Sequence, residues 1–114
     1  MSEDAYRRGL DLLERGAWFE AHEELEEAWR AAEAGERDFL QGLVHVAVAW
    51  YHADVTGRRR ACESQLEKAA RRLASYGPTH RGVDVAQLRA SVEAARGRFP
   101  ELPTPRFRAP RTRG

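Results

Sequence analysis

The stretch F-L-Q-G-L-V-H-V-A-V-A-W-Y-H-A-D-V, residues 39–55, decides the fold. It is apolar almost all the way round, the signature of a helix buried at the centre of a bundle rather than lying on its surface. Its polar interruptions are regular. Gln41, His45 and His52 stand four and seven residues apart, with Val48 between the two histidines. At about 100° per residue these positions share one narrow strip of the helix. The strip is either the helix's only wet face or the lining of an internal polar seam.

The preceding stretch reads differently. Trp18, Ala21, His22, Leu25, Ala28, Trp29 and Ala32 recur at steps of three and four. They make a single apolar stripe, with Glu20, Glu23, Glu24 and Glu27 opposite. Working outward, segments rich in Ala, Leu, Glu and Arg predict helices at about 3–15, 17–34, 37–56, 59–75 and 84–98. Gly16, Gly35, Gly57 and Gly77 each follow such a segment, where left-handed caps belong. Pro78 stops the fourth helix. Short glycine connections fold neighbours antiparallel. The expected fold is all-α, a compact bundle of about five helices built from antiparallel helical hairpins over residues 1–99. Residues 100–114 carry four of the five prolines and four arginines. They are expected to form an extended or disordered tail outside the core.

Composition narrows the function. A chain of 114 residues, 42% apolar, suits one domain. No apolar run approaches the roughly 18 residues of a membrane span. The polar start MSEDAYRRG is unlike a signal peptide. A lone cysteine, Cys62, excludes an internal disulfide and a cysteine zinc site, and helix position favours a packed thiol. A cytoplasmic, non-membrane protein is expected. Residues 1–57 hold five Arg against thirteen Asp or Glu, a balance of −8; residues 58–114 hold fourteen Lys or Arg against five, a balance of +9. The preferred reading is that acidic and basic helices neutralise one another, which makes nucleic acid an unlikely partner. Head-to-tail pairing into a homo-oligomer is the other outcome that such a split allows. The sequence names no small-molecule or protein partner.

The chemistry centres on four residues. His22 and Glu26 lie one helical turn apart on the second helix, close enough to share an ion. A hairpin folded at Gly35 sets Glu26 level with Val44 and His45, and His22 level with Val48, between His45 and His52. The candidate metal site is therefore His22, Glu26, His45 and His52, with Trp29, Gln41 and Glu23 in support. Imidazole and carboxylate donors suit Zn, Ni, Mn or Fe. An open position on such an ion would support a metal-dependent hydrolase. The competing reading is a helical protein-interaction or structural module, its His/Glu cluster a buried hydrogen-bonded pair. Trp18, Trp29 and Trp50 are read as core anchors. Neither catalysis nor its substrate is fixed by these residues.

The run W-F-E-A-H-E-E-L-E-E-A-W (18–29), followed by F-L-Q-G-L-V-H-V-A-V-A-W-Y-H (39–52), strongly resembles the bacterial and archaeal domain-of-unknown-function 309 family. The hallmark H-x-x-x-E-x-x-W of that family falls on His22, Glu26 and Trp29, and the likeness covers roughly residues 5–77. It implies a small α-helical bundle whose motif binds a metal.

Overall fold

Apolar periodicity requires each helix to bury one face and the third helix to bury nearly all of its surface. The computed structural model, which describes residues 2–108, meets both demands. Helices α1 (Ser2–Glu14), α2 (Trp18–Arg30), α3 (Ala34–Tyr51), α4 (Arg59–Leu73) and α5 (Val85–Ala95) account for most of the chain. A π-helical turn, His52–Thr56, continues α3, and a small hairpin of β1 (Thr79–His80) and β2 (Val83–Asp84) precedes α5. The architecture is all-helical with a minor sheet.

Helix α3 packs between α2 and α4, α1 lies on α2, and α5 lies on α4. Nine residues of α3 are buried, from Phe39 to Trp50. Gln41, His45, Val48 and His52 are partly exposed, so the strip is the wet face of a buried helix and not an internal seam. Two glycines set the helix separations. A Cβ on Gly9 would lie 2.7 Å from the Leu25 side chain, and one on Gly42 would lie 2.8 Å from Leu73. The helices approach so closely because no side chain stands there.

Several boundaries differ from expectation. Gly16 and Gly57 take the left-handed conformation, at φ 80° and 70°. Gly35 and Gly77 do not. Gly35 sits in the first turn of α3, and the α2–α3 link is Ala31–Glu33. The Tyr76 hydroxyl stabilises this start, accepting from the Phe39 amide at 2.9 Å and donating to the Gly35 carbonyl at 3.0 Å. Helix α5 begins one residue after Asp84, whose carboxylate caps it by accepting from the Gln87 amide at 2.9 Å.

The larger correction concerns the tail. Residues 101–107 form neither helix nor strand, but they are not outside the core. Phe107 is 2% exposed and belongs to the main apolar cluster. Its carbonyl accepts from the Asp84 amide at 2.7 Å, and Arg108 bridges Val83. Trp50 donates to the Pro103 carbonyl at 3.1 Å. Pro105 and Phe107 are buried while Arg106 is exposed, a period of two that a search for helical periodicity passes over. Residues 109–114 of the tail lie outside the described residues.

The two charge halves do pair. Arg72 meets Asp38 at 2.7 Å, Arg81 meets Glu3 at 2.7 Å, and Arg108 meets Glu14 at 3.4 Å and Asp11. Cys62 is fully buried, and burial first, then Glu63 and Asp54, push its thiol up to about 11. It is a packing residue. Among the described residues no helix is long and apolar enough to cross a membrane.

Candidate functional site

The apolar stripe of α2 holds the helix against α3 and leaves His22 and Glu26 at the stripe's edge. His22 is 23% exposed and Glu26 42%, so this pair is at the surface rather than in a dry interior. The His22 Nδ1 lies 3.0 Å from the Phe19 carbonyl. A carbonyl only accepts, so Nδ1 carries the proton and a neutral ring keeps its lone pair on Nε2. That nitrogen stands 3.6 Å from Glu26 Oε1. Arg30 approaches the same oxygen at 3.8 Å. The pair opens onto a groove of about 680 Å³ between α1 and α2, lined also by Glu23, Glu24, Glu27 and Arg8. Trp29 does not enter this groove. Half-buried, it is covered by the Arg37 guanidinium 4.4 Å above its ring and ties α2 to α3.

On its other side His22 borders a small apolar cleft of about 140 Å³ with Trp18, Phe19, Val48, Tyr51 and His52. His22 and Val48 border this same cleft. The rings of Phe19 and Tyr51 stand between the histidines, with centroid spacings of 5.3 Å from His22 to Phe19, 5.6 Å from Phe19 to Tyr51 and 6.0 Å from Tyr51 to His52. His52 opens the π-helical turn and bonds through Nδ1 to Thr56 Oγ1 at 2.8 Å. Partial burial, then the Arg58 charge, holds its pKa below the ordinary imidazole value. The turn is fastened to α2 by Trp18, whose Nε1 donates to Asp54 at 2.6 Å.

His45 belongs elsewhere. Its Nδ1 bonds to Gln65 Oε1 of α4 at 2.7 Å. It lines a groove of about 540 Å³ between α3 and α4, together with Gln41, Asp38, Lys68, Arg71 and Arg72. Its pKa is depressed, by burial first and also by Lys68, Arg72 and Arg71, while the Gln65 bond works the other way. The strip Gln41–His45–Val48–His52 therefore divides: its first half faces α4 and its second half faces α2. The four expected ligands do not gather. Among the described residues no group of three or more His, Cys, Asp or Glu could hold an ion. The fourth histidine, His80, bonds to Glu36 at 3.0 Å and packs on Phe39, which ties the β-hairpin to α3.

Sequence reasoning missed the α4 side of the basic groove. The signal was present in K-A-A-R-R, residues 68–72, where the cations recur at i, i+3 and i+4 on one face. It also passed over Phe19 and Tyr51, which separate the two histidines of α2 and the π-helical turn.

Fold and site together define a small helical bundle with two histidine-bearing grooves of opposite charge. The chain belongs to the family described as Domain of unknown function (DUF309), whose model matches residues 6–63. That segment runs from α1 into the first turns of α4 and contains both the His22–Glu26 pair and His45. No curated protein and no solved structure matches the chain.

Proposed function

We propose that the domain binds a divalent metal ion through His22 and Glu26 and leaves the rest of the coordination sphere open. One observation carries this reading: His22 Nε2 and Glu26 Oε1 stand 3.6 Å apart, long for a hydrogen bond. Two donors on one tetrahedral ion, each at about 2.1 Å, are separated by roughly 3.4 Å. The Phe19 carbonyl already holds the His22 tautomer that presents Nε2, the role an outer partner plays for a ligating histidine. Four glutamates line the groove against Arg8 and Arg30, which pair with Glu24 and Glu27, and the remaining acidic balance favours a cation over an anion. An imidazole with a carboxylate suits zinc, manganese, nickel or iron. Water, a substrate or a further chain would complete the set, because the chain contributes two donors.

A divalent ion supplies Lewis acidity toward a carbonyl or phosphoryl oxygen, which is the chemistry of metal-assisted hydrolysis. His22 and Glu26 would orient the ion, which would compete with the Arg30 guanidinium for the Glu26 carboxylate. A second reading, a helical interaction module, is favoured by the exposure of Phe19 (46%) and Val55 (64%) near the aromatic cleft.

Calorimetry on untagged protein separates the two. Zinc, nickel, manganese and iron(II) should be titrated into wild-type, His22→Ala, Glu26→Gln and His45→Gln proteins. The metal reading predicts one equivalent bound by wild type and His45→Gln, and loss in the other two variants. Bound ion should also stabilise the fold, by about 2.7 kcal/mol at a hundredfold excess over Kd. Absence of binding by all four metals would remove this reading and leave the interaction module.

A further inference from the structure

The groove between α3 and α4 has the opposite chemistry, and nothing in the metal reading uses it. Helix α4 presents Lys68, Arg71 and Arg72 on one face because three- and four-residue steps return to the same side of a helix. Helix α3 faces them with Gln41 and His45, the two polar positions of its wet strip that turn toward α4. The separation of the two helices is fixed by Gly42, against which Leu73 packs. Polar groups from two rigid elements therefore converge on one space of about 540 Å³.

Three cations line this space against one carboxylate, Asp38. Asp38 holds the Arg72 guanidinium at 2.7 Å, and Arg71 has only a loose, exposed contact to Glu67 at 3.8 Å. Among the described residues Lys68 has no ion-pair partner. The positive field of all three reaches His45, whose pKa it helps to depress. These cations disfavour a proton on His45, and an anion in the same space would offset that effect.

We propose that this groove binds a small molecule through an oligophosphate group, with Lys68, Arg71 and Arg72 as the charge partners and Gln41 as a neutral donor. Guanidinium forks pair with phosphate oxygens in two-point contacts, and an ammonium adds a compact charge, so three cations match a group bearing several negative charges better than a lone carboxylate. The volume exceeds that of one phosphate and lies in the usual range for small-ligand sites, about 300–1,000 Å³. A nucleic-acid backbone fits less well. Tight binding to it takes a track of roughly six to ten phosphate contacts. Of the other arginines in the basic half, three are engaged in ion pairs, Arg81 with Glu3, Arg108 with Asp11 and Glu14, and Arg96 with Glu93.

The test is calorimetric titration of the full chain with tripolyphosphate, pyrophosphate and sulfate, in about 50 mM salt where phosphate contacts are least screened. Tripolyphosphate should bind with one-to-one stoichiometry and more tightly than sulfate. Lys68→Glu, at an exposed position that leaves the fold intact, should weaken it by at least about tenfold, as expected for reversing one of three charge-assisted contacts. Arg89→Gln, an exposed charge on α5, should leave binding unchanged. Sulfate binding as well as tripolyphosphate, equal losses in Lys68→Glu and Arg89→Gln, or no binding at all would overturn the proposal. So would a single-stranded oligonucleotide that binds more tightly than tripolyphosphate and loses that affinity in Lys68→Glu.

Discussion

His22 and His45 are partly exposed imidazoles on adjacent helices, yet their surroundings differ in sign. His22 stands on α2 beside Glu26, in a groove with three further glutamates. His45 stands on α3 opposite Lys68, Arg71 and Arg72. Each has its Nδ1 occupied, the first by a backbone carbonyl and the second by the Gln65 amide oxygen. The residue type is the same, so what each ring can bind is decided by the neighbouring helix. On α2 the neighbours are acidic and a cation is favoured. Across from α4 they are basic and an anion is favoured.

Both grooves hang on one scaffold, and a change to the shared core should damage both. Phe107→Ala is the strongest such change, because the ring is 2% exposed and anchors the tail to β2 and the main cluster. We expect a loss of about 3–5 kcal/mol in chemical denaturation, the usual range for a fully buried Phe. A loss under about 0.5 kcal/mol would be that of a surface change and would detach the tail from the core. Gly42→Ala should act on one groove only. Its Cβ would fall 2.8 Å from Leu73, so α3 and α4 must part. Overpacking of this kind costs about 1–3 kcal/mol, and the better helix propensity of Ala returns up to about 1. The α1–α2 groove should keep its properties in this variant, and that is checked by metal titration.

A smaller effect is a pH slope. The His45 pKa is lower in the folded chain than the ordinary value of 6.5. The unfolded chain therefore takes up the proton first on acidification. The associated stability is whole above about pH 6.5 and declines as pH falls from there through the folded pKa. His52 contributes in the same direction. Denaturation midpoints measured from pH 7.5 to 5 should fall less steeply in His45→Gln than in wild type. Equal slopes would mean that His45 does not feel the burial and the cations of α4.

The helices were legible in the sequence because α2 repeats an apolar stripe at steps of three and four, α3 is apolar nearly all round, and the other segments are rich in Ala, Leu, Glu and Arg. The buried nature of α3 was also readable, and so was part of its register against α2, since Phe19 and Tyr51, each sixteen residues from Gly35, meet. The four-residue cluster was not. A strip lying on the boundary between α2 and α4 can lean to either, and sequence spacing holds no information on which neighbour covers it. The aromatic rings of Phe19 and Tyr51 then keep His22 and His52 apart. Phe107 escaped because a single alternating anchor gives no helical period, and Gly35 misled because α3 tolerates a glycine in its exposed first turn.

The metal reading requires that α2, and not the wet strip of α3, attracts the cation. Manganese(II) broadens amide resonances in proportion to nearness, so a series of nitrogen–proton spectra at substoichiometric manganese tests it directly. Signals from Phe19 to Arg30 should be lost early, with those of His45, Gln65 and Lys68 still sharp, and no such pattern should appear in Glu26→Gln. Broadening centred on His45, or spread evenly over the acidic surface and unchanged in Glu26→Gln, would contradict it.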